Sequence, residues 1–395
     1  MRLGVYADLV YRQAGQTIST DLNFIQFVTG LAPYLDELVV FGRLHPDPGV
    51  EAYALPRDGV RFAALPHYPR VTSPLSVLGT LPGARRAFEA ELAGLDAVLL
   101  FGPHPLGLIF ARSARRHGVA VVLGARQEYG PYVANRLPSR LWAWAVPVAY
   151  ALEGAYRAAA RRLPSVVVGE RLGRRYGGGP APVLAMGFSL VSLEDVAAPD
   201  SAARRGWADG NVRLLTVGRV DSEKNPLLLV DILAGLRAHS PRWHLTVAGD
   251  GPLIDALWAR AEEHGVDEAL HLPGHVAYGH ELHELYRASH AFLHVSLTEG
   301  LPQVLFEAAA AGLPIVATDV GGVGSALGDG SRGLLVPPRD APAAVAALLR
   351  LDGDPSLRER LMAAGLEHAR EGTMEIQHGR LIAFLHAAAA RQTHY

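Results

Sequence analysis

Cysteine is absent from the 395 residues, which excludes disulfides, zinc–thiolate sites, iron–sulfur clusters and cysteine nucleophiles. Lysine is nearly absent. Of the 37 basic side chains, 36 are arginine and one is lysine, Lys224. Net charge is also small, at −2, which argues against a globally basic nucleic-acid binder. Long apolar runs are missing. The membrane-like stretch Leu141–Leu152 (LWAWAVPVAYAL) has 12 residues, holds Pro147 and ends at Glu153, whereas a span needs about 20. It reads first as a buried helix, with Trp142, Trp144 and Arg140 leaving interfacial docking open. Met1-Arg2 runs straight into the strand-like LGVYA, unlike a secretory leader. A dinucleotide fingerprint is missing too, because Gly249-x-Gly251 and Gly322-x-Gly324 both lack the third glycine. His280 and His283 find no third ligand at helical spacing, so no zinc site is expected.

What is present is a chain 49% apolar and 19% charged, compact and long enough for two or three domains. Short apolar runs alternate with longer amphipathic ones. Strands are expected at 2–7, 37–44, 60–66, 97–102, 120–125 and 165–170, with helices at 20–35, 84–94, 105–117 and 139–162. The pattern breaks over 187–211, read as a linker. It restarts with strands at 212–217, 243–248, 269–272, 291–295, 314–318 and 333–336, and helices at 226–238, 252–264, 280–289, 302–311, 341–350 and 355–370. An amphipathic run at 374–388 has no strand after it. Val- and Leu-rich strands alternating with helices predict an α/β fold of two Rossmann-like, doubly wound parallel-sheet domains facing across a cleft. The expected division is 1–186, linker 187–211, 212–372, and a terminal helix over 373–395. Charge divides as well. Residues 1–186 carry 20 Arg against 13 acids, and 187–395 carry 17 basic residues against 26 acids. The basic half is either a set of solvated helix ends or a face for an anionic acceptor or membrane surface.

Two segments carry the chemistry. In 291–322 an apolar strand ends at Ser296, and Glu299-Gly300-Leu301-Pro302 leads into a helix stopped by Gly312. Free N–H groups at such a helix start suit a phosphate. Glu307 sits among Val304, Leu305, Phe306 and Ala308, where an ionised carboxylate needs a partner: a structural ion pair or a ligand's hydroxyl pair. In 212–226 a strand ends at Val217, Gly218-Arg219 follows, and Lys224-Asn225-Pro226 opens the next helix. Arg219 offers a planar fork and Lys224 a compact charge, together a site for a diphosphate.

The Gly218-Arg219…Lys224-Asn225 run, the Gly249-Asp250-Gly251-Pro252 turn and the Glu299-x7-Glu307 spacing, in this order, resemble glycosyltransferase family 4. These are retaining nucleotide-sugar glycosyltransferases of the two-domain GT-B fold. The resemblance covers about 212–340 in detail and the first half in architecture only. It implies that Arg219 and Lys224 bind the donor diphosphate and, with Glu299 beside the donor sugar, form the catalytic set. Glu307 would hold the ribose hydroxyls. Backbone groups of Gly218, Gly251, Gly300, Leu301, Gln303 and Val304 would approach the donor, and the base would lie near His275 and Val276. Gly15, in the loop after the first strand, would let the backbone approach the phosphates. The helix at 374–388 would cross back to the first domain.

Two departures stand out. The family often has a histidine after the fourth strand, where this chain reads Val121–Gln127; Arg126 either takes its place or touches an anionic acceptor, His104 is a second acceptor-side candidate, and a structural role is the alternative for each. The family's acid after Gly321-Gly322 is missing, since Val323 follows. The resemblance implies transfer of a sugar to an acceptor hydroxyl of a glycan or lipid-linked acceptor, in cell-envelope glycan, polysaccharide or glycolipid synthesis. The enzyme would be cytoplasmic, with a peripheral contact at the inner membrane face left open. No cofactor and no metal are expected, because two fixed cations fill the place of Mg²⁺. Asp352-Gly353-Asp354 reads as a helix cap rather than a metal motif. The alternatives are a nucleotide-sugar 2-epimerase of the same architecture and a catalytically silent sugar-nucleotide-binding protein.

Overall fold

The computed structural model describes residues 1–69, 74–134, 142–198, 207 and 210–392. Arg140, the start of the expected helix 139–162 and most of 199–211 lie outside the described residues. The chain forms two compact units, Met1–Phe188 with Ile376–Tyr395, and Ser189–Glu375.

The first unit is built on β1 (Arg2–Ala14), β2 (Thr17–Thr20), β3 (Glu37–Leu44), β4 (Tyr53–Ala54), β5 (Val60–Leu65), β6 (Ala97–Gly102), β7 (Ala120–Ala125), β8 (Ser165–Val168) and β9 (Val183–Met186). Its parallel strands run in the order β5-β3-β1-β6-β7-β8-β9, with Leu3 opposite Leu38 on one side and Ala97 on the other. Leu3, Leu38, Val98 and Val121 are almost wholly buried, as strands covered on both faces require. The last helix, Met374–Gln392, joins this unit from Ile376 onward. His378 holds it there, its Nε2 at 2.9 Å from the Phe27 carbonyl oxygen and its ring against Phe27.

Several expectations change in this unit. The first strand does not stop at residue 7. It passes a register break between Tyr6 and Val10 and continues, burying Leu9 and Tyr11 while Asp8 and Arg12 are less covered. Its polar residues fall on one face and do not end it. Gly15 therefore lies in a two-residue hairpin turn, φ +58°, between β1 and the antiparallel β2, and not in a loop directly after a short strand. The helix expected at 20–35 is reduced to Phe24–Thr29 and a 3₁₀ turn, Ala32–Tyr34, because Gly30 and Pro33 interrupt it. The helix expected over 139–162 is Ala145–Ala160, and it is not buried all round: Trp144, Val148 and Tyr150 are exposed. Residues expected as linker instead pack into the second unit. Val191 is in its core, and the Ala197 N–H donates to the Ala310 carbonyl at 2.7 Å.

The second unit contains β10 (Val212–Val217), β11 (Trp243–Ala248), β12 (Leu270–Gly274), β13 (Ala291–His294), β14 (Ile315–Thr318) and β15 (Leu334–Val336). All neighbours are parallel, in the order β12-β11-β10-β13-β14-β15. Chain order reverses between β10 and β13, and ligands of such sheets sit outside the strand carboxyl ends at that reversal. Asp354 caps the helix Pro355–Glu371 through the Leu357 N–H at 2.9 Å, while Asp352 pairs with Arg242.

Backbone hydrogen bonds tie the strand-end loops of this unit together. Gly218 N–H donates to the Ala248 carbonyl (3.0 Å), Val220 N–H to that of Asp250 (2.9 Å), and Leu297 N–H to that of Glu223 (2.8 Å). Missing side chains permit the approach. A methyl at Gly249 would lie 1.8 Å from the Gly218 carbonyl oxygen, and one at Gly321 would lie 2.0 Å from that of Glu299. Gly321 and Gly265 share nearly the same positive φ, +58° and +62°, yet nothing surrounds Gly265. Alanine at either costs about 1–2 kcal/mol for the left-handed backbone, and overpacking adds about 1–3 kcal/mol at Gly321 alone. Denaturant unfolding should therefore show Gly321→Ala clearly less stable than Gly265→Ala. Equal losses would mean that the loops are not pressed together.

Candidate active site

The reversal point of the second unit is occupied by one ion pair. After β10 the chain passes Gly218-Arg219 and makes a 3₁₀ turn, Ser222–Lys224. Asp221 caps that turn through the N–H groups of Glu223 (3.1 Å) and Lys224 (3.3 Å). Asn225 then takes a left-handed conformation, φ +51°, and Pro226 starts the helix Pro226–His239. After β13 the chain turns through Glu299 into the helix Gln303–Ala310. Lys224 Nζ donates to Glu299 Oε1, so the only lysine spans the reversal from one loop to the next. His294 Nε2 approaches the same oxygen at 3.0 Å, without the alignment of a full hydrogen bond. Burial pushes the Glu299 carboxyl up, but His294 and Lys224 outweigh it and hold the pKa at about 2. Glu299 is thus a fixed anion and Lys224 its counter-cation.

The surroundings are polar but incompletely paired. Asn225 Nδ2, Ser296 Oγ and Gln303 Oε1 are buried and find no hydrogen-bond partner among the described residues. Native proteins rarely leave such atoms unmatched unless something else is to meet them. A small cavity lined by Thr216, Gly218, Lys224, Pro226, His294 and Ser296 lies beside the ion pair. Arg219 is held differently. Its two terminal nitrogens contact Asp221 Oδ2 (2.8 Å) and Glu223 Oε2 (3.1 Å), and the side chain is half exposed. Its fork is engaged by carboxylates of its own loop. Gly251 presses its backbone on Val220, Gly274 ends β12 with φ +77°, and His275 beyond it is exposed, while Val276 packs on the core. Gly300 is exposed at the tip of the β13 loop, with Leu301 and Val304 partly buried behind it.

Glu307 lies on the second turn of that helix and is buried. Tyr286 OH donates to its Oε2 at 2.7 Å. Burial pushes its pKa up to about 7, against the pull of Tyr286 and His283. His283 contacts Asp195 at 3.1 Å; burial raises the Asp195 carboxyl, and His283 and Ser192 pull it to about 2. The structural ion pair that sequence left open for Glu307 is therefore replaced by a neutral hydroxyl donor. No contact joins Glu307 to the Lys224–Glu299 pair among the described residues.

In the first unit His104 is a helix cap. Its Nδ1 accepts from Leu106 N–H (3.2 Å) and meets Tyr6 OH (3.0 Å), its Nε2 meets Tyr68 OH (2.9 Å), and burial lowers its pKa. Tyr68 also donates to Asp8, which pairs with Arg43 at 2.8 Å. Sequence reasoning passed over Asp8, Arg43 and Tyr68 because they come from three separate elements. Arg126 is partly buried, its guanidinium 4.3 Å from the centre of the Phe24 ring, and desolvation lowers its pKa too.

The buried carboxyl sets a pH test. A carboxyl whose folded pKa is raised contributes stability below its ordinary value of 4.5, and that contribution is lost as pH rises through about 7. Glu307→Gln keeps an acceptor for Tyr286 but cannot ionise. Between pH 4.5 and pH 8 its unfolding free energy should gain on wild type by a few kcal/mol. Parallel pH profiles would show that Glu307 is not held neutral.

Residues 199–368 match the family model for glycosyl transferases group 1. Among curated relatives, glycogen synthase of Mycobacterium tuberculosis (strain ATCC 25618 / H37Rv) is 38% identical over 159 residues, 40% of this chain and 38% of that protein. D-inositol 3-phosphate glycosyltransferase of Frankia alni is 36% identical over 196 residues, 47% of this chain and 48% of its own. The match thus spans less than half the length of these relatives. Solved structures align over nearly the whole chain. Sucrose-phosphate synthase from Thermosynechococcus elongatus has a TM-score of 0.71 at 21% identity, covering 98% of this chain and all of its own. Anabaena HepE in complex with UDP has 0.72 at 15% identity, with 98% and 100% covered. At such identities the likeness shows the fold. The chain thus has the GT-B fold, and its residues 199–368 match a glycosyl transferases group 1 domain.

Proposed function

We propose that this chain transfers a sugar from a nucleoside diphosphate to an acceptor hydroxyl with retention at the anomeric carbon. The observation that carries this reading is the Lys224–Glu299 pair at the strand-order reversal, with unmatched buried polar atoms on the same two connections, those after β10 and β13. In the reaction the bond from the anomeric carbon to phosphate breaks, and a bond to the acceptor oxygen forms on the same face. The acceptor proton passes to a departing phosphate oxygen. Negative charge grows on the diphosphate, and Lys224 is already fixed where it meets that charge. Arg219 adds a second cation once it exchanges its loop carboxylates for phosphate oxygens. Glu299, ionised at neutral pH, lies beside the donor sugar. Glu307 takes the ribose hydroxyls, and Gln303, Ser296 and Asn225 supply polar contacts. The backbone of Gly218, Gly251, Gly300, Leu301 and Val304 lets the donor approach, with the base near His275 and Val276.

The reading includes independence of metal and of cofactor, since cationic side chains take the neutralising role. It includes a glycan or lipid-linked acceptor in cell-envelope synthesis, on the cytoplasmic side, with the acceptor falling to the first unit. UDP appears with structural neighbours such as Anabaena HepE, which supports a nucleoside diphosphate as the donor's leaving group. No described helix is long and apolar enough to cross a membrane.

A thermal-shift series with UDP, GDP and ADP sugars identifies the base by a rise of a few degrees in one series. With that donor, Lys224→Ala should lose about 10²–10³ in turnover, and EDTA should leave wild-type turnover unchanged. Near-wild-type turnover by the variant would remove Lys224 from the reaction. Loss of activity in EDTA restored by Mg²⁺ would overturn the metal-free mechanism.

A further inference from the structure

The helix Ala145–Ala160 presents two different faces. Its inner face buries Ala149, Glu153 and Tyr156, with Glu153 paired to Arg175 at 2.8 Å. Its outer face is exposed and almost free of charge: Trp144, Val148, Tyr150, Ala151, Ala155 and Ala158, with Arg157 the one charged position. Trp144, Val148 and Tyr150 are each about half exposed, at 45%, 54% and 47%. Contiguous exposed apolar surface of this kind marks a contact site in soluble proteins.

This apolar face runs into a basic groove. At the carboxyl end of the helix, Ala159 and Leu163 form a floor with Leu108 and Ala111 of the helix Pro105–Arg116, a shallow groove of about 440 Å³ rimmed by Arg112, Arg115 and Arg116. Arg161 and Arg162 follow the first helix directly and are exposed. None of these five arginines has an ion-pair partner among the described residues. Helix carboxyl ends favour cations, which accounts for arginine at the last turns. It does not account for an apolar face beside them, nor for the absence of acids that elsewhere in this chain pair with arginine, as Glu37 and Glu91 do with Arg61.

We propose that this face of the first unit docks on an anionic lipid bilayer, with the outer face of Ala145–Ala160 entering the headgroup boundary and the arginine cluster meeting lipid phosphates. Charge complementarity selects this occupant. A neutral apolar partner would leave the arginines unmatched, and a soluble anion would leave the apolar face in water. An apolar stripe carrying tryptophan, edged by basic residues, is the physical form of an interfacial helix. The inference does not rest on the transfer reaction, because vesicle binding is read without donor or acceptor.

The full chain is sedimented with vesicles of phosphatidylcholine alone and of phosphatidylcholine with 30% phosphatidylglycerol, at about 0.1 M and about 0.5 M salt. Binding is expected to the anionic vesicles only, and to fall at high salt. The triple variant Arg112→Ala, Arg115→Ala, Arg116→Ala should bind weaker by on the order of a hundredfold, about fivefold for each arginine. Trp144→Ser with Val148→Ser changes no charge and should also weaken binding severalfold, which surface electrostatics alone would not produce. Circular dichroism and unchanged unfolding midpoints confirm that the variants fold. No binding to anionic vesicles, or triple-variant binding equal to wild type, overturns the proposal. So does a concentration-dependent dimer that Trp144→Ser with Val148→Ser dissociates, because the face would then belong to a second copy of the chain.

Discussion

The contact between Lys224 and Glu299 is what the second unit's strand-end loops are arranged to hold. Each partner comes from a different side of the strand-order reversal, so the pair exists only if both loops keep their register. Desolvating two charges costs several kcal/mol, which their attraction repays only with good geometry and further polar contacts. The geometry comes from backbone: Leu297 bonded to Glu223, Gly218 to Ala248, and Gly321 pressed on Glu299. The further contact comes from His294, against the same carboxylate oxygen. Lys224 meets one oxygen of Glu299 as a compact point charge on a flexible stem. The nearby Arg219 shows the contrast, since its fork is filled by Asp221 and Glu223.

The two carboxylates seven residues between one another are placed in opposite electrostatic settings. Glu299 has two cationic or polar neighbours and stays ionised. Among the described residues Glu307 has a tyrosine hydroxyl as its direct side-chain partner, and burial brings its titration close to neutral pH. Divergent pKa values in neighbouring acids are a common mark of functional sites. The first unit uses the same fold differently. At its own reversal between β1 and β6 the side chains of Asp8, Arg43, Tyr68 and His104 satisfy one another, and none of His104's ring nitrogens is left open. Its surface, by contrast, keeps arginines without ion-pair partners among the described residues, beside the apolar outer face of a helix.

Much of the fold was legible in the sequence, because a parallel strand covered on both faces must be a short apolar run. β6, β10 and β11 lie where such runs predict. The failures share a cause. β1 continues past Asp8 because its polar residues Asp8 and Arg12 share one face while Leu9 and Tyr11 stay buried on the other. The helix Ala145–Ala160 looked buried because its outer face is also apolar, and composition cannot tell a core from an exposed apolar face. In the site, Lys224 was conspicuous by rarity, and Glu299 and Glu307 by spacing around a helix start. His294, Ser296 and Tyr286 were not, since a buried strand histidine or a helix tyrosine acquires its role from residues distant in sequence. The role of the Gly321-Gly322 pair was equally hidden: it depends on the neighbouring loop's carbonyls.

The central claim is that Lys224 marks the place of a diphosphate. Isothermal titration tests it with UDP, GDP and ADP and the matching nucleosides, on wild type and on Lys224→Met. Charge-assisted contacts to phosphate are worth about 1.5–3 kcal/mol. For the base that binds, the diphosphate should therefore weaken by about tenfold or more in the variant, while the nucleoside binds both proteins alike. A diphosphate that binds the variant as tightly as wild type, or a nucleoside that loses as much as the diphosphate, would contradict the account.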